Sequence, residues 1–138
     1  MSKMSYDKIY LSGPVEQSED PNSWRKEIQE KHTFYNYIDP VEHIEVQLEG
    51  EYWRYRLVAE CLHAVNLSDG VLIYWGKSEV TWGTPIEQYY AWLNGVPNVV
   101  YTDGNDVEIP AFMHVYADDI VSESERALNT ISRLSHGN

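Results

Sequence analysis

The chain has 138 residues, of which 43% are hydrophobic, and its 22 acidic and 10 basic side chains give a formal net charge of −12. This length suits a single domain, and the composition excludes an intrinsically disordered protein. The negative charge disfavours binding to polymeric nucleic acid or to an anionic membrane, because both surfaces carry phosphate groups.

Further features of the composition bear on where the protein works. Cys61 is the single cysteine, so no internal disulfide can form. No segment approaches the roughly 18 apolar residues of a membrane-spanning helix, and the first residues lack the apolar stretch of a signal peptide. We therefore expect a soluble, cytoplasmic, single-domain protein over residues 1–138. The acidic, lysine-poor composition is also typical of salt-adapted proteins, which raises the hypothesis of a halophilic source.

The first half of the chain predicts two strands and two helices. In chain order these elements are a strand at Lys8–Ser12 ended by Gly13-Pro14, a helix begun by Asp20-Pro21, a strand at Phe34–Ile38, a loop at Val41–Glu51 and a helix from Tyr52 to Asp69-Gly70. The second helix carries apolar residues at helical spacing. Its Cys61 is interpreted as a buried small hydrophobic residue rather than as a reactive thiol.

The second half continues the alternation of strands and helices. Its predicted elements are a strand at Val71–Trp75, a helix from Thr84-Pro85 to Asn94-Gly95, strands at Val99–Tyr101 and Met113–Tyr116, and a helix after a Ser122-x-x-Glu125 capping box. The first of these helices has an apolar stripe, formed by Ile86, Tyr89, Tyr90 and Leu93.

The alternation predicts a small doubly wound, flavodoxin-like α/β fold, with a parallel five-stranded sheet and helices on both faces. In such folds the ligand binds outside the carboxyl ends of the strands, where the strand order reverses. The loops after Leu11, Ile38 and Trp75 are therefore the candidate functional loops.

Several common catalytic motifs are missing from these loops. There is no G-x-G-x-x-G, no phosphate-binding G-x-x-x-x-G-K-[ST], no G-x-S-x-G and no H-E-x-x-H. The five histidines show no metal-ligand spacing. We therefore expect neither a dinucleotide cofactor nor a metal ion.

The start of the helix after Val71–Trp75 has two interpretations. In the first, Thr84 is the N-cap, Pro85 opens the helix, and the Glu87 side chain closes a capping box. In the second, the helix N-terminus keeps the Glu87 carboxylate ionised and aimed into the ligand crevice. An ionised carboxylate in that position can attack an anomeric carbon, as the nucleophile of a retaining glycosidase does.

Three segments between about Ile9 and Val100 carry a recognisable pattern. They are Ile9-Tyr10-Leu11-Ser12-Gly13-Pro14, Leu67-Ser68-Asp69-Gly70-Val71-Leu72-Ile73, and Gly83 to Glu87 with the following residues to Val100. In this order they resemble the nucleoside 2-deoxyribosyltransferase superfamily, which includes nucleoside 5'-monophosphate N-glycosidases.

This resemblance implies roles for individual residues. Glu87 would be the nucleophile that takes the sugar, Tyr10 would hold that glutamate in place, and Asp69 would orient or protonate the base. The substrate-binding residues that it implies are Ser12, Gly13, Thr81, Trp82 and Gly83. Tyr74, Trp75 and Trp82 form an aromatic cluster that could stack on a base.

The function implied is cleavage of the N-glycosidic bond of a (2'-deoxy)nucleoside, with transfer of the sugar to another nucleobase. Two alternatives stay open: a nucleoside 5'-monophosphate N-glycosidase, and a non-catalytic nucleotide-binding module on the same fold. The absence of a basic residue close to the first loop favours an unphosphorylated substrate. Because transferase relatives complete their pocket from a neighbouring subunit, the resemblance also implies a homo-oligomer.

Overall fold

The structure is a computed structural model that describes residues 7–14, 22–43, 50–76, 83–104 and 107–137. Its strands are β1 (Lys8–Ser12), β2 (Asn36–Ile38), β3 (Gly70–Tyr74), β4 (Asn98–Tyr101) and β5 (Asp119–Val121). The helices described are α1 (Ser23–Lys31), α2 (Pro40–His43), α3 (Trp53–Leu67), α4 (Gly83–Leu93), α5 (Ala111–Tyr116) and α6 (Ser124–Ser135).

The five strands form one sheet in the order β2-β1-β3-β4-β5, and every neighbouring pair runs parallel. This is the flavodoxin-like order, so the predicted doubly wound fold is confirmed. The order reverses between β1 and β3, where Ser12 lies beside Ile73 at the carboxyl ends of the two strands. A ligand crevice is expected outside this point.

Two hydrophobic cores lie on opposite faces of the sheet. The core under α1 and α6 contains Ile9, Leu11, Trp24, Ile28, Leu72, Val99, Val121, Ala127, Leu128 and Ile131. The core under α3, α4 and α5 contains Tyr10, Val65, Val71, Ile73, Trp75, Ala91, Val96, Val100 and Met113. Successive side chains of a strand point to opposite faces, so Tyr10 and Ser12 of β1 face α3 and α4.

The predicted fifth strand at Met113–Tyr116 is wrong, because these residues form the last four of the six residues of α5. Pro110 caps that helix, and only Met113 of its six residues is buried. A short apolar run cannot be assigned to strand or helix from periodicity alone. The fifth strand is Asp119–Val121, an edge strand whose three residues offer almost no pattern.

Three other local predictions also need correction. The N-cap of α1 is Asn22, and the predicted Asp20-Pro21 start lies outside the described residues. The Ser122-x-x-Glu125 capping box is not formed, because Glu123 is the N-cap of α6 and makes no side-chain cap hydrogen bond. The predicted loop after β2 begins with the short helix α2.

The apolar stripe of α4 does not face the core as expected. Ile86, Tyr89 and Leu93 are exposed, whereas the buried residues of this helix are Thr84, Gln88 and Ala91. The inward side can be polar because Gln88 donates its amide hydrogens to Asn98 Oδ1 and to the Met113 carbonyl oxygen, both at 3.0 Å. A satisfied buried amide therefore replaces an apolar contact at this position.

No helix in the described part of the chain is both long enough and apolar enough to cross a membrane.

Candidate active site

The site is built around the Glu87 carboxylate, which contacts two hydroxyl groups of β1. Tyr10 Oη donates to Glu87 Oε2 at 2.5 Å, and Ser12 Oγ donates to Glu87 Oε1 at 2.6 Å. Each carboxylate oxygen therefore has one donor among the residues that the structure describes. Both donors come from the strand that borders the switch point, so the carboxylate lies at the crevice that the fold predicts.

The local sequence explains why these three side chains meet. Tyr10 and Ser12 are two residues apart on a strand, so they share one face of the sheet. Glu87 is the fifth residue of α4 and lies one turn inside the helix, on the side that packs against that face. Its side chain turns toward the strand rather than back to its own helix N-terminus. The Thr84–Glu87 capping box is not formed, since Thr84 Oγ1 has no hydrogen-bond partner among the described residues.

Burial and hydrogen bonding set the ionisation of this pair. Burial raises the pKa of the Glu87 carboxyl above its ordinary value, while the hydrogen bonds from Ser12 and Tyr10 and the positive charge of Arg25 oppose that rise. Burial, followed by the charge of Glu87, raises the pKa of the Tyr10 phenol, so Tyr10 remains the donor. The carboxylate is thus oriented by two hydroxyls yet incompletely solvated, which makes it a stronger nucleophile.

Cys61 of α3 lies beside this pair, which the sequence did not reveal. Its thiol lies close enough to the Tyr10 hydroxyl for the two groups to influence each other's pKa, and the side chain is half-buried rather than part of the core. Burial raises the pKa of the thiol, and the charge of Glu87 raises it further. Cys61 is therefore a neutral group at the edge of the site.

Arg25 of α1 supplies the positive charge that the sequence did not place near the first loop. The guanidinium is buried and donates to the carbonyl oxygens of Gly13 at 2.8 Å, Pro14 at 3.0 Å and Leu11 at 3.2 Å. The expectation that no basic residue approaches this loop is therefore wrong. Arg25 is eleven residues beyond the end of the loop in sequence, and only the packing of α1 under β1 brings it there.

Gly13 follows Ser12 and is packed tightly. A Cβ atom at this position would lie 2.6 Å from the Trp24 ring and 3.1 Å from the Tyr74 carbonyl oxygen. A larger residue would displace the turn that carries Ser12. Gly83, at the start of α4, has open space around the corresponding position. The predicted binding residues Thr81 and Trp82 lie outside the described residues.

Asp69 is not brought to the site, and this corrects its predicted role. The Asp69 carboxylate accepts a hydrogen bond from the backbone N–H of Lys8 at 2.8 Å, at the amino ends of β1 and β3. Glu87 contacts Ser12 at the carboxyl end of β1, about 13 Å away along a strand that rises about 3.3 Å per residue. Asp69 precedes its strand, so it lies at the opposite edge of a parallel sheet.

Tyr74, the last residue of β3, and Trp75, which follows it, do not lie together beside Glu87. Trp75 is buried in the core under α3–α5, and its indole N–H donates to the Glu108 carbonyl oxygen at 3.2 Å. Tyr74 faces the other core, where its ring contacts Trp24 and its hydroxyl donates to Asp103. Both residues are accounted for by packing, and the predicted third member, Trp82, lies outside the described residues.

Metal-ligating side chains do not cluster within the described ranges. A cavity of about 300 Å³ lies between α4 and α5, and its lining residues are Pro85, Gln88, Tyr89, Phe112, Met113 and Tyr116.

Known proteins resemble this chain in structure but not detectably in sequence. Neither the known family models nor the curated protein sequences match it. A 2-deoxyribosyltransferase from Bacillus psychrosaccharolyticus superposes with a TM-score of 0.72 and 18% identity, over 88% of this chain and 90% of that chain. A 2-desoxiribosyltransferase from Leishmania mexicana superposes with a TM-score of 0.67 and 13% identity, over 96% of this chain and 99% of that chain.

This chain shares the fold of 2-deoxyribosyltransferases. A conserved protein from Enterococcus faecalis is similar to the same degree, with a TM-score of 0.71, 19% identity, and 94% of this chain and 99% of that chain covered. The resemblance inferred from the three sequence segments is thereby confirmed at the level of the fold. At these identities the likeness extends no further, and the chemistry of this chain rests on its own residues.

Proposed function

We propose that the protein is an enzyme that cleaves the N-glycosidic bond of a (2'-deoxy)nucleoside and transfers the sugar to another nucleobase. The observation that carries this proposal is the Glu87 carboxylate, held by the Tyr10 and Ser12 hydroxyls at the switch point of the sheet. A structural carboxylate at a helix start would bind its own backbone amides instead.

The chemistry proceeds by two displacements at one carbon. A Glu87 oxygen attacks C1' of the sugar, the bond from C1' to the base nitrogen breaks, and the departing base takes its electron pair and a proton. The nitrogen of a second base then attacks C1', and Glu87 leaves as a carboxylate. The acceptor base loses the proton that the first base gained, so the exchange is balanced without an added oxidant or cofactor.

Tyr10 and Ser12 are positioned to act on Glu87 rather than on the sugar. Their donated hydrogen bonds fix both carboxylate oxygens and favour the ionised form. In the covalent intermediate one oxygen becomes an ester oxygen and the other a carbonyl oxygen, both weaker acceptors. When the ester is resolved, the two hydroxyls stabilise the carboxylate that is released.

The test is base exchange together with detection of the intermediate. The protein is incubated with a deoxynucleoside and a different free base, and the exchanged nucleoside is measured by chromatography. Without an acceptor base, mass spectrometry of the intact protein should find one added sugar, which peptide mapping assigns to Glu87. Full exchange activity in the Glu87→Gln variant would end the proposal that Glu87 is the nucleophile. Binding of the nucleoside by the unmodified chain without any turnover would instead favour a non-catalytic nucleotide-binding module.

Hydrolysis of a nucleoside 5'-monophosphate is a second candidate, favoured by the Thr84 hydroxyl. This group lies in the first turn of α4, is buried, and has no hydrogen-bond partner within the described residues. Free hydroxyls and backbone N–H groups at a helix start are donors that bind phosphate. Release of base and sugar phosphate without an acceptor base, faster than any exchange, would select this activity.

We also propose that the protein self-associates through the helices that cover the site. The outward surface of α3, α4 and α5 carries an exposed apolar patch, formed by Tyr55, Val58, Leu67, Ile86, Tyr89, Trp92, Leu93, Phe112 and Val115. Nine exposed apolar side chains on three neighbouring helices of a chain with a net charge of −12 support an uncharged partner surface, as a second copy would provide.

A further inference from the structure

Arg25 is a buried cation that holds the turn next to the nucleophile. It is 2% exposed, and its three carbonyl acceptors belong to Leu11, Gly13 and Pro14. Leu11 and Gly13 flank Ser12, whose hydroxyl binds Glu87. One residue therefore separates the guanidinium from the carboxylate along the contact path.

The surroundings of Arg25 keep it in this orientation. Its Nη1 also donates to Asn22 Oδ1 at 3.2 Å, and its Nε lies 4.0 Å from an Asp39 carboxylate oxygen. Asn22 in turn donates to Asp39 at 2.6 Å, and the guanidinium packs over the Trp24 ring at 4.6 Å. The planar guanidinium is thus fixed on several sides, which a flexible ammonium group could not reproduce.

We propose that Arg25 is a positioning residue of this site, which fixes the turn carrying Ser12 and thereby orients the Glu87 carboxylate, and whose positive charge favours the ionised form of that group. This inference rests on the proposed N-glycosidic chemistry. A purely structural arginine would account for the carbonyl contacts, but it would have no effect on the ionisation of Glu87.

The charged and titratable groups that face Glu87 are few. Within the described residues they are Tyr10 from β1, Cys61 from α3 and Arg25 from α1. Burial raises the pKa of Glu87, and Tyr10 and Cys61 are neutral at neutral pH because burial raises the pKa of both. Among these groups, Arg25 therefore carries the full positive charge that favours the ionised form of Glu87 over the protonated form.

The experiment compares the pH dependence of kcat/KM for base exchange in four proteins. These are the unmodified chain, Arg25→Met, Arg25→Lys and Lys26→Met. The last removes a positive charge from the exposed neighbour of Arg25 on the same helix and is the control. Circular dichroism and thermal unfolding establish that each variant is folded, and Arg25→Gln replaces Arg25→Met if the latter does not fold.

We expect the acid limb of the profile to move upward by about one pH unit in Arg25→Met, because an opposite charge near a carboxyl shifts its ionisation by about that much or more. On the acid limb, the ratio of Arg25→Met activity to unmodified activity should then be about tenfold lower than the same ratio on the plateau. Arg25→Lys should retain the limb but lose activity at every pH, since its charge remains and the turn is held less well. Coincident limbs in Arg25→Met and the unmodified chain would overturn the proposal.

A second measurement does not depend on turnover. Cys61 is the single cysteine, and Glu87 raises the pKa of its thiol whereas Arg25 lowers it, so its rate of thiol labelling at fixed pH reports the local field. Labelling should slow in Arg25→Met, accelerate in Glu87→Gln and stay unchanged in Lys26→Met. An unmodified chain without exchange activity contradicts the proposed function, whereas equal labelling in Arg25→Met and the unmodified chain contradicts the role of Arg25.

Discussion

The two faces of the sheet are built differently. Under α1 and α6, ten buried apolar side chains are closed off by an outward surface that is polar, with Glu125, Arg126, Asn129 and Arg133 exposed on α6. Under α3, α4 and α5 the core contains the hydroxyl of Tyr10, and the outward surface is apolar and aromatic. Tyr89, Trp92 and Tyr116 pack on one another there, with ring centroids 4.8–5.8 Å apart.

This difference separates stability from function in the molecule. The α1–α6 face satisfies its polar groups and faces water, as a finished structural layer does. On the α3–α5 face, burial destabilises the charged form of the half-buried Glu87 carboxylate. The exposed rings of the apolar patch on this face are in unfavourable contact with water. Natural proteins retain such costs mainly at functional sites and interfaces. Arg25 links the two faces, since it belongs to the α1 layer and reaches the turn beside Glu87.

The largest effect that would test this comparison is the loss of the nucleophile. Glu87→Gln or Glu87→Ala should lower the rate of base exchange by about a thousandfold or more, because a covalent step without its nucleophile has no equivalent route. Glu125→Gln on α6 removes the same charge from the other face and should leave the rate unchanged. Equal losses in both variants would show that the effect is one of overall charge.

Removal of single hydroxyls should give the next largest effect. Tyr10→Phe and Tyr37→Phe each delete a hydroxyl that donates one strong hydrogen bond, to Glu87 at 2.5 Å and to the His32 carbonyl oxygen at 2.6 Å. Each variant should lose about 1 kcal/mol of unfolding free energy. Only Tyr10→Phe should lower kcat, by roughly ten- to a hundredfold, because that bond stabilises a charge that changes during the reaction.

Self-association should depend on the exposed apolar patch of α3, α4 and α5. Trp92→Glu places a charge within the exposed apolar surface of α4, and we expect a lower molar mass by light scattering after size exclusion. Phe34→Glu changes an even more exposed ring that precedes β2, outside the patch, and should leave the mass unchanged. A monomeric unmodified chain at all concentrations would contradict the proposed association.

A smaller effect follows from the raised pKa of Glu87. The folded state binds the carboxyl proton more tightly than the unfolded chain, whose pKa is about 4.5. As pH rises through that value toward the pKa of the folded state, deprotonation of Glu87 therefore lowers the free energy of unfolding of the unmodified protein. The Glu87→Gln variant lacks this contribution. The melting temperature of Glu87→Gln should exceed that of the unmodified chain at pH 7, and the difference should shrink at pH 4. A difference that is independent of pH would contradict the burial of a charged Glu87.

The sequence was sufficient for the fold because its signals are local. Apolar runs bounded by Gly, Pro and Asp identified β1, β3 and β4, and their alternation with helices implied a parallel sheet. Where the run was short and unbounded, as at Met113–Tyr116, strand and helix could not be separated. The edge strand Asp119–Val121 has an apolar run of only two residues, and its pairing with β4 decides its conformation.

The candidate site was predictable only in part, because contacts between distant segments decide it. Glu87 and Tyr10 could be named from motif and position, and the structure brings them together. Arg25 and Cys61 carried no motif, since a basic residue within a helix and a cysteine on an apolar stripe usually have structural roles. Their approach to the site follows from how α1 and α3 pack on β1, which no single segment encodes.

Substitution of Asp69 gives the smallest predicted effect. It tests whether a residue that precedes its strand lies at the edge of the parallel sheet opposite to the site. Asp69→Asn removes the charge from a bond to the Lys8 N–H, at the amino edge of the sheet. We expect a loss of about 1 kcal/mol of unfolding free energy by chemical denaturation, and an unchanged kcat/KM for base exchange. The residue that orients or protonates the base would then have to come from the carboxyl edge. A loss of activity as large as that of Tyr10→Phe, with stability unchanged, would instead return Asp69 to the reaction and contradict the assignment of that edge as the site.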